Sequence, residues 1–292
     1  MNVKTCVGVV LAAALCGCTT ATPKSPPATP PAAELRVPPD LLQLARLSLN
    51  NGSYEESRDR FARFLAVEPD NKEAKLGLAE ALLALGNSAA AGPLFDELVK
   101  DPAYRGRAIQ GQALCATAER QFDVALPLLR AALAEDDQQW RSWNGLGRVY
   151  DAKKKWQEAA AAYGKALQLA PDSAIVNNNL GYSLLLQGRN AEAIPHFVAA
   201  LERQPKLDAA QNNLRLALAF QGRYEDAQAN AGHDSSVVLN NVGYVAMARG
   251  DYGKAESLLV QAIEKSPNYY GRAWHNLDRL KTLRPDPAPE SK

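Results

Sequence analysis

A chain of 292 residues, 47% of them hydrophobic, is long enough for a sizeable core or a long array. Its 33 Lys and Arg balance 32 Asp and Glu, which excludes the basic excess that nucleic-acid surfaces and polybasic membrane surfaces need. Helix formers dominate and Val- and Ile-rich alternating segments are hard to find, so the composition predicts an all-α protein.

Residues 1–17 read as a secretory signal. Lys4 is their only charge, and the ten-residue apolar run that starts at Val7 is too short to span a bilayer. Leu15-Cys16-Gly17-Cys18 resembles the bacterial lipobox, which implies cleavage before Cys18 and lipidation of that residue; Thr19 after it implies the periplasmic face of the outer membrane. Cleavage elsewhere in "ALCGCTTA" would instead give an ordinary secreted protein. Loss of Cys6 and Cys16 with the signal leaves Cys115, in an apolar helical context, as a small core residue with no disulfide partner. Residues 18–37 carry five prolines and predict an extended linker of up to about 60 Å. The tail from Arg284 is too polar and Pro-rich to fold.

Between these ends the sequence repeats every 34 residues. In the block 140–173, Trp143, Leu146, Gly147, Tyr150, Ala159, Tyr163, Ala166 and Pro171 stand at positions 4, 7, 8, 11, 20, 24, 27 and 32. This pattern resembles the tetratricopeptide repeat (TPR). It implies an α-solenoid, a right-handed superhelix of helix-turn-helix repeats with a concave groove. The same phase gives repeats 38–71, 72–105, 106–139 and 174–207, a short repeat 208–235, a repeat 236–269 and a closing helix within 270–283. Gly52, Gly86, Gly188, Gly222 and Gly250, at position 15, predict left-handed turns between paired helices. The short repeat should lose its last helical turn, weaken the junction between Leu214 and Val242, and place a hinge at 231–236.

The first helices carry a register of amides. Asn144, Asn178, Asn212 and Asn240 stand at position 5, Asn179, Asn213 and Asn241 at position 6, and His275 and Asn276 take the same two places in the closing helix. The resemblance places positions 2, 5, 6, 9 and 13 on the groove. Each amide offers two donors and a carbonyl acceptor, which suits an extended peptide backbone. Tyr182 and Tyr244, at position 9, would add flat stacking surface. The rival reading has the amides bonding a loop or a neighbouring helix and the tyrosines packing on the next repeat.

No catalytic or cofactor motif accompanies the repeats. His196, His233 and His275 lack metal spacing, there is no phosphate loop and no nucleophile elbow, and "HDSS" at 233–236 reads as a loop or helix cap. The whole arrangement, and most sharply the stretch 177–230, is similar to the TadD-type lipoproteins of the tight-adherence (Flp) pilus system. That resemblance implies a non-catalytic scaffold without cofactor or metal. It would be held to the membrane by a lipid, would bind envelope proteins of a pilus secretion apparatus, and would serve as a pilotin for the secretin. A TPR adaptor that recruits or regulates peptidoglycan enzymes is the alternative.

Overall fold

The structure, a computed structural model, describes residues 38, 40–229, 235–266 and 271–283. The signal, Cys18, the linker, the tail and most of the expected hinge lie outside the described residues. Fifteen helices and no β-strand are present among those described.

The helices alternate as the 34-residue phase requires. First helices are α1 (Leu41–Asn50), α3 (Lys72–Ala84), α5 (Arg105–Ala118), α7 (Trp140–Ala152), α9 (Ala174–Leu186), α11 (Asp208–Phe220) and α13 (Ser235–Arg249). Their partners are α2 (Tyr54–Leu65), α4 (Ser88–Leu98), α6 (Phe122–Glu135), α8 (Trp156–Leu169), α10 (Asn190–Arg203), α12 (Tyr224–Gln228) and α14 (Tyr252–Glu264), and α15 (Gly271–Leu283) closes the array. Each helix packs on its sequence neighbours. First helices also touch the first helices before and after them, whereas no second helix touches another second helix among the described residues. One face of the array, the inner face, is therefore a continuous layer of first helices.

The turn between paired helices needs a positive φ at position 15. The five predicted glycines adopt it, with φ between 74° and 84°. The two repeats that lack glycine there adopt it all the same, through Arg120 at φ 61° and Lys154 at φ 56°. The left-handed turn is thus a requirement of the helix pair, because residues with a Cβ are carried into a region they ordinarily avoid.

A side chain at position 24 of each full-length second helix fills the space between helices, and glycine makes room for it in one of two ways. In the first three repeats Phe61, Phe95 and Leu129 pack against Gly77, Gly111 and Gly145, each at position 6 of the following repeat. From residue 140 onward, Tyr163, Phe197 and Leu259 pack against Gly147, Gly181 and Gly243, at position 8 of their own repeat. The sequence pairs these position-8 glycines with Ala159 and Ala193. Those alanines are buried, but the close contact is made by the ring. This switch frees position 6, and Asn179, Asn213 and Asn241 occupy it.

The short repeat is truncated in its second helix, as expected. Its second helix, α12, has only 5 residues, against 14 in α10. An apolar core still spans the junction among the described residues. Leu218, Ala219, Tyr224 and Ala227 share one buried cluster with Val238, Leu239, Val242 and the core of the last repeat. α13 packs directly on α11, as each first helix does on the one before it. Cys115 is buried as expected, and burial pushes its thiol up to about 11.

Candidate functional site: the amide line on the inner face

The asparagines meet across repeats. Asn179 Nδ2 donates to Asn144 Oδ1 at 2.9 Å, and Asn213 Nδ2 donates to Asn178 Oδ1 at 3.0 Å. Asn276 Nδ2 donates to Asn240 Oδ1 at 2.8 Å. In the first two cases position 6 of one repeat donates to position 5 of the repeat before, and Asn276, one residue further on in the phase, does the same from the closing helix. Within α9, Asn178 Nδ2 donates to Asn179 Oδ1 at 3.3 Å, and within α13, Asn240 Nδ2 donates to Asn241 Oδ1 at 3.2 Å. The bonds join into a relay that runs Asn213, Asn178, Asn179, Asn144, and a second that runs Asn276, Asn240, Asn241.

The relay is interrupted at the short repeat. No bond joins Asn241 to Asn212 among the described contacts, and Asn212 Oδ1 accepts instead from Arg215 Nη1 at 3.3 Å. Burial follows this pattern. Asn144 and Asn240 are buried, Asn178, Asn179, Asn213 and Asn276 are half-buried, and Asn212 and Asn241 are exposed. His275 is exposed, and it is Asn276 that reaches the preceding repeat.

Relay bonds use one N–H and one carbonyl lone pair of an amide, so each retains a second of both. The line therefore links repeats and still has hydrogen-bonding capacity left. The two roles set against each other by the sequence are compatible at the same residues.

Apolar side chains flank the amides. Tyr182 and Tyr244 are both 43% exposed, so neither is closed off by the next repeat. On α9, Ile175 and Leu186 are exposed on the same stripe as Tyr182, at positions 2 and 13; Val237 repeats the pattern on α13. The first repeats use these positions differently. Arg46 pairs with Glu73, and Arg107 Nη2 lies 2.6 Å from Glu80, each pair joining position 9 of one repeat to position 2 of the next. The inner face is thus ion-paired from α1 to α5 and carries amides and exposed apolar side chains from α9 to α13.

Sequence reading missed a second polar link between repeats. Asp151, buried at position 12 of α7, accepts from Tyr163 Oη at 2.8 Å and from Ser183 Oγ at 2.6 Å. It joins α7, α8 and α9. Burial raises its carboxyl above the ordinary range, and the bonds from Ser183 and Tyr163 oppose that rise. The signal available was an Asp at position 12 of α7, in phase with a Tyr and a Ser on the two helices that follow it.

The tetratricopeptide-repeat profile matches residues 42–108, 112–174 and 178–231, well over half of the chain. The chain belongs to the tetratricopeptide-repeat family. Among solved structures, the thermophilic TPR protein TTC0263 of Thermus thermophilus is similar at 25% identity and a TM-score of 0.51, over 64% of this chain and 97% of that one. Human IFIT1, solved as a dimer with m7Gppp-AAAA, matches at a TM-score of 0.62 and 18% identity, over 83% of this TPR chain and 63% of its own; that likeness is one of fold. Among curated proteins, human protein O-mannosyl-transferase TMTC1 is 24% identical over 178 residues. The match covers 48% of this chain and spans only 20% of the length of TMTC1.

Proposed function

We propose that this TPR chain is a non-catalytic scaffold that holds a polypeptide partner against the inner face of its last repeats. The observation that carries the reading is the coincidence of two features on one wall. A line of side-chain amides with unused donors and acceptors runs from α7 to α15, and large apolar side chains stand exposed beside it. Amides supply backbone hydrogen bonds without reading sequence. Exposed aromatic rings supply contact area at low entropic cost.

Tyr182→Glu with Tyr244→Glu tests the reading. Both rings are exposed, so the double variant should fold with an unchanged melting temperature. It should lose about ten-fold or more in partner capture from cell envelopes, because two contacts worth roughly 1 kcal/mol or more each are replaced by charge. Undiminished capture would refute the assignment of this face.

The partner we propose is a component of the Flp pilus secretion apparatus, with the chain held at the outer membrane through lipid on Cys18. What supports this is the likeness of the stretch 177–230, the lipobox-like "LCGC" and the Pro-rich linker to TadD-type lipoproteins. Capture that returns the secretin or its assembly proteins supports the pilus role; capture of peptidoglycan hydrolases or synthases in their place refutes it. Lipid anchoring needs more than one acyl chain for stable attachment, which a triacylated cysteine provides. Cys18→Ala should therefore release the chain from the outer-membrane fraction or leave it uncleaved. Unchanged fractionation would remove the anchor from the proposal.

A further inference from the structure

We propose that the closing helix α15 is the docking surface for a second copy of this chain. Two copies pair through antiparallel α15 helices, and each α15 takes the place of a second helix for the other. This surface is separate from the inner face. Asn276 joins α15 to the amide line, and Trp274, two residues earlier, stands about 160° around the helix from it.

The bond from Asn276 to Asn240 sets the register of α15. With Asn276 in the place of a position-6 amide, Trp274 stands at position 4, Leu277 at 7, Asp278 at 8 and Lys281 at 11. On α7 the same places hold Trp143, Leu146, Gly147 and Tyr150, and that side of α7 meets its paired helix. Leu146 and Tyr150 cluster with Ala162, Trp143 packs with Ala159 and Ala166, and the Tyr163 ring lies against Gly147. No second helix follows α15 among the described residues, and this side of it is open. Trp274 is 43% exposed, and Asp278 and Lys281 are exposed, whereas Ala273 and Leu280 are buried against the preceding repeat. The sequence after α15 does not offer the usual turn. Each helix pair before it turns through a positive φ at position 15. By the register of α15 that position is Pro285, and the ring of proline fixes φ at about −65°.

Charge selects the occupant. An ordinary second helix brings a large side chain against glycine at position 8, as at Gly147, Gly181 and Gly243, and meets Tyr150, Leu184 or Ala246 at position 11. On α15 those two places are Asp278 and Lys281. An apolar helix laid there would take both charges out of water without a counter-ion. A second α15 running antiparallel supplies both counter-ions. Asp278 of each copy then meets Lys281 of the other, in two identical contacts about one two-fold axis. Paired helices within a repeat are also antiparallel, so the direction of packing is the one this face already uses. In that alignment Trp274 of each copy lies at the C-terminal end of the other α15 and loses its exposure. One helix pair is a small interface, so the dimer is weak and depends on concentration.

The test is sedimentation velocity of the full chain in non-ionic detergent over a wide range of concentration, with charge exchange on α15. The parent should pass reversibly from monomer to dimer as concentration rises. Asp278→Lys alone and Lys281→Asp alone should each weaken the dimer by about ten-fold or more, because like charges then face each other on both sides of the axis. An equimolar mixture of the two single variants should dimerise again, and so should the double exchange Asp278→Lys with Lys281→Asp. Both side chains are exposed, so melting temperatures should not change. A chain that stays monomeric at every concentration would overturn the proposal. A dimer indifferent to both single exchanges would move the contact away from α15. Failure of the mixture to recover would overturn the antiparallel pairing of Asp278 with Lys281. A photoreactive phenylalanine in place of Trp274 should give a cross-link to a second copy in intact cells; an adduct with a different protein alone would overturn the identity of the occupant. Partner capture through Tyr182 and Tyr244 should be the same for all these variants, so the inner-face reading stands or falls separately.

Discussion

Gly77→Ala and Gly147→Ala should each destabilise the protein by about 1–3 kcal/mol, while Gly92→Ala and Gly164→Ala should stabilise it by about 0.5–1 kcal/mol. All four glycines are helical, so propensity alone predicts the same gain everywhere. Space decides the sign. A Cβ on Gly77 would overlap Cζ and both Cε atoms at the tip of the Phe61 ring, which is completely buried. On Gly147 it would lie 2.5 Å from Tyr163 Cε1, and Tyr163 is 1% exposed. Neither ring has a free end that could move aside, so the helices must separate. Gly92 and Gly164 have nothing within 4 Å of such an atom. Urea denaturation midpoints at constant m-value read the four effects. Opposite signs confirm the ring-on-glycine contact as the spacer between helices; a uniform small gain would contradict it.

Asp151→Leu should cost roughly 2–5 kcal/mol, because it strands the hydroxyls of Tyr163 and Ser183 in the core at about 1–3 kcal/mol each. Asp151→Asn keeps one acceptor and should cost less. Its pH dependence is the sharper result. The carboxyl is raised in the folded chain above its ordinary 3.8. Between 3.8 and that higher value the folded chain holds more protons than the unfolded chain. The stability that Asp151 contributes is therefore complete below 3.8, falls as pH rises through the window, and is constant above it. Asn carries no such proton. The deficit of Asp151→Asn relative to the parent should thus be greatest at the acid end and should narrow as pH rises, with the other carboxylates cancelling in the difference. A deficit that widens with pH would mean the folded-state carboxyl is lowered and the local picture is wrong.

The period of 34 was enough to place the helices and their turns, because fold information in a repeat is carried by spacing. Pro171 and Pro205 both fall in loops, and the position-15 glycines all adopt positive φ. Two things needed the third dimension. One was the partner of each asparagine. Sequence put Asn178 and Asn213 in register, but the bond between them depends on how α9 and α11 stack and on which rotamers the stack allows. The other was the short repeat. A deletion of helix reads as a loss of contact, yet Val238 and Val242 of α13 are buried in one cluster with Leu218 of α11. Asp151 was passed over for a related reason. A lone Asp in a helix reads as a solvated residue until the neighbouring repeat brings Ser183 to it.

The central claim is that the inner face from α9 to α13 is the surface that meets a partner. Site-specific photo-cross-linking in intact cells tests it most directly. A photoreactive phenylalanine replaces Tyr182 or Tyr244 on the inner face, or Val124 or Val198, which are exposed on the second helices α6 and α10. The expected result is a discrete cross-linked species of one size from both inner positions and none from the two outer ones. Adducts from Val124 and Val198 with none from Tyr182 and Tyr244 would contradict the claim and move the binding surface to the opposite face of the array.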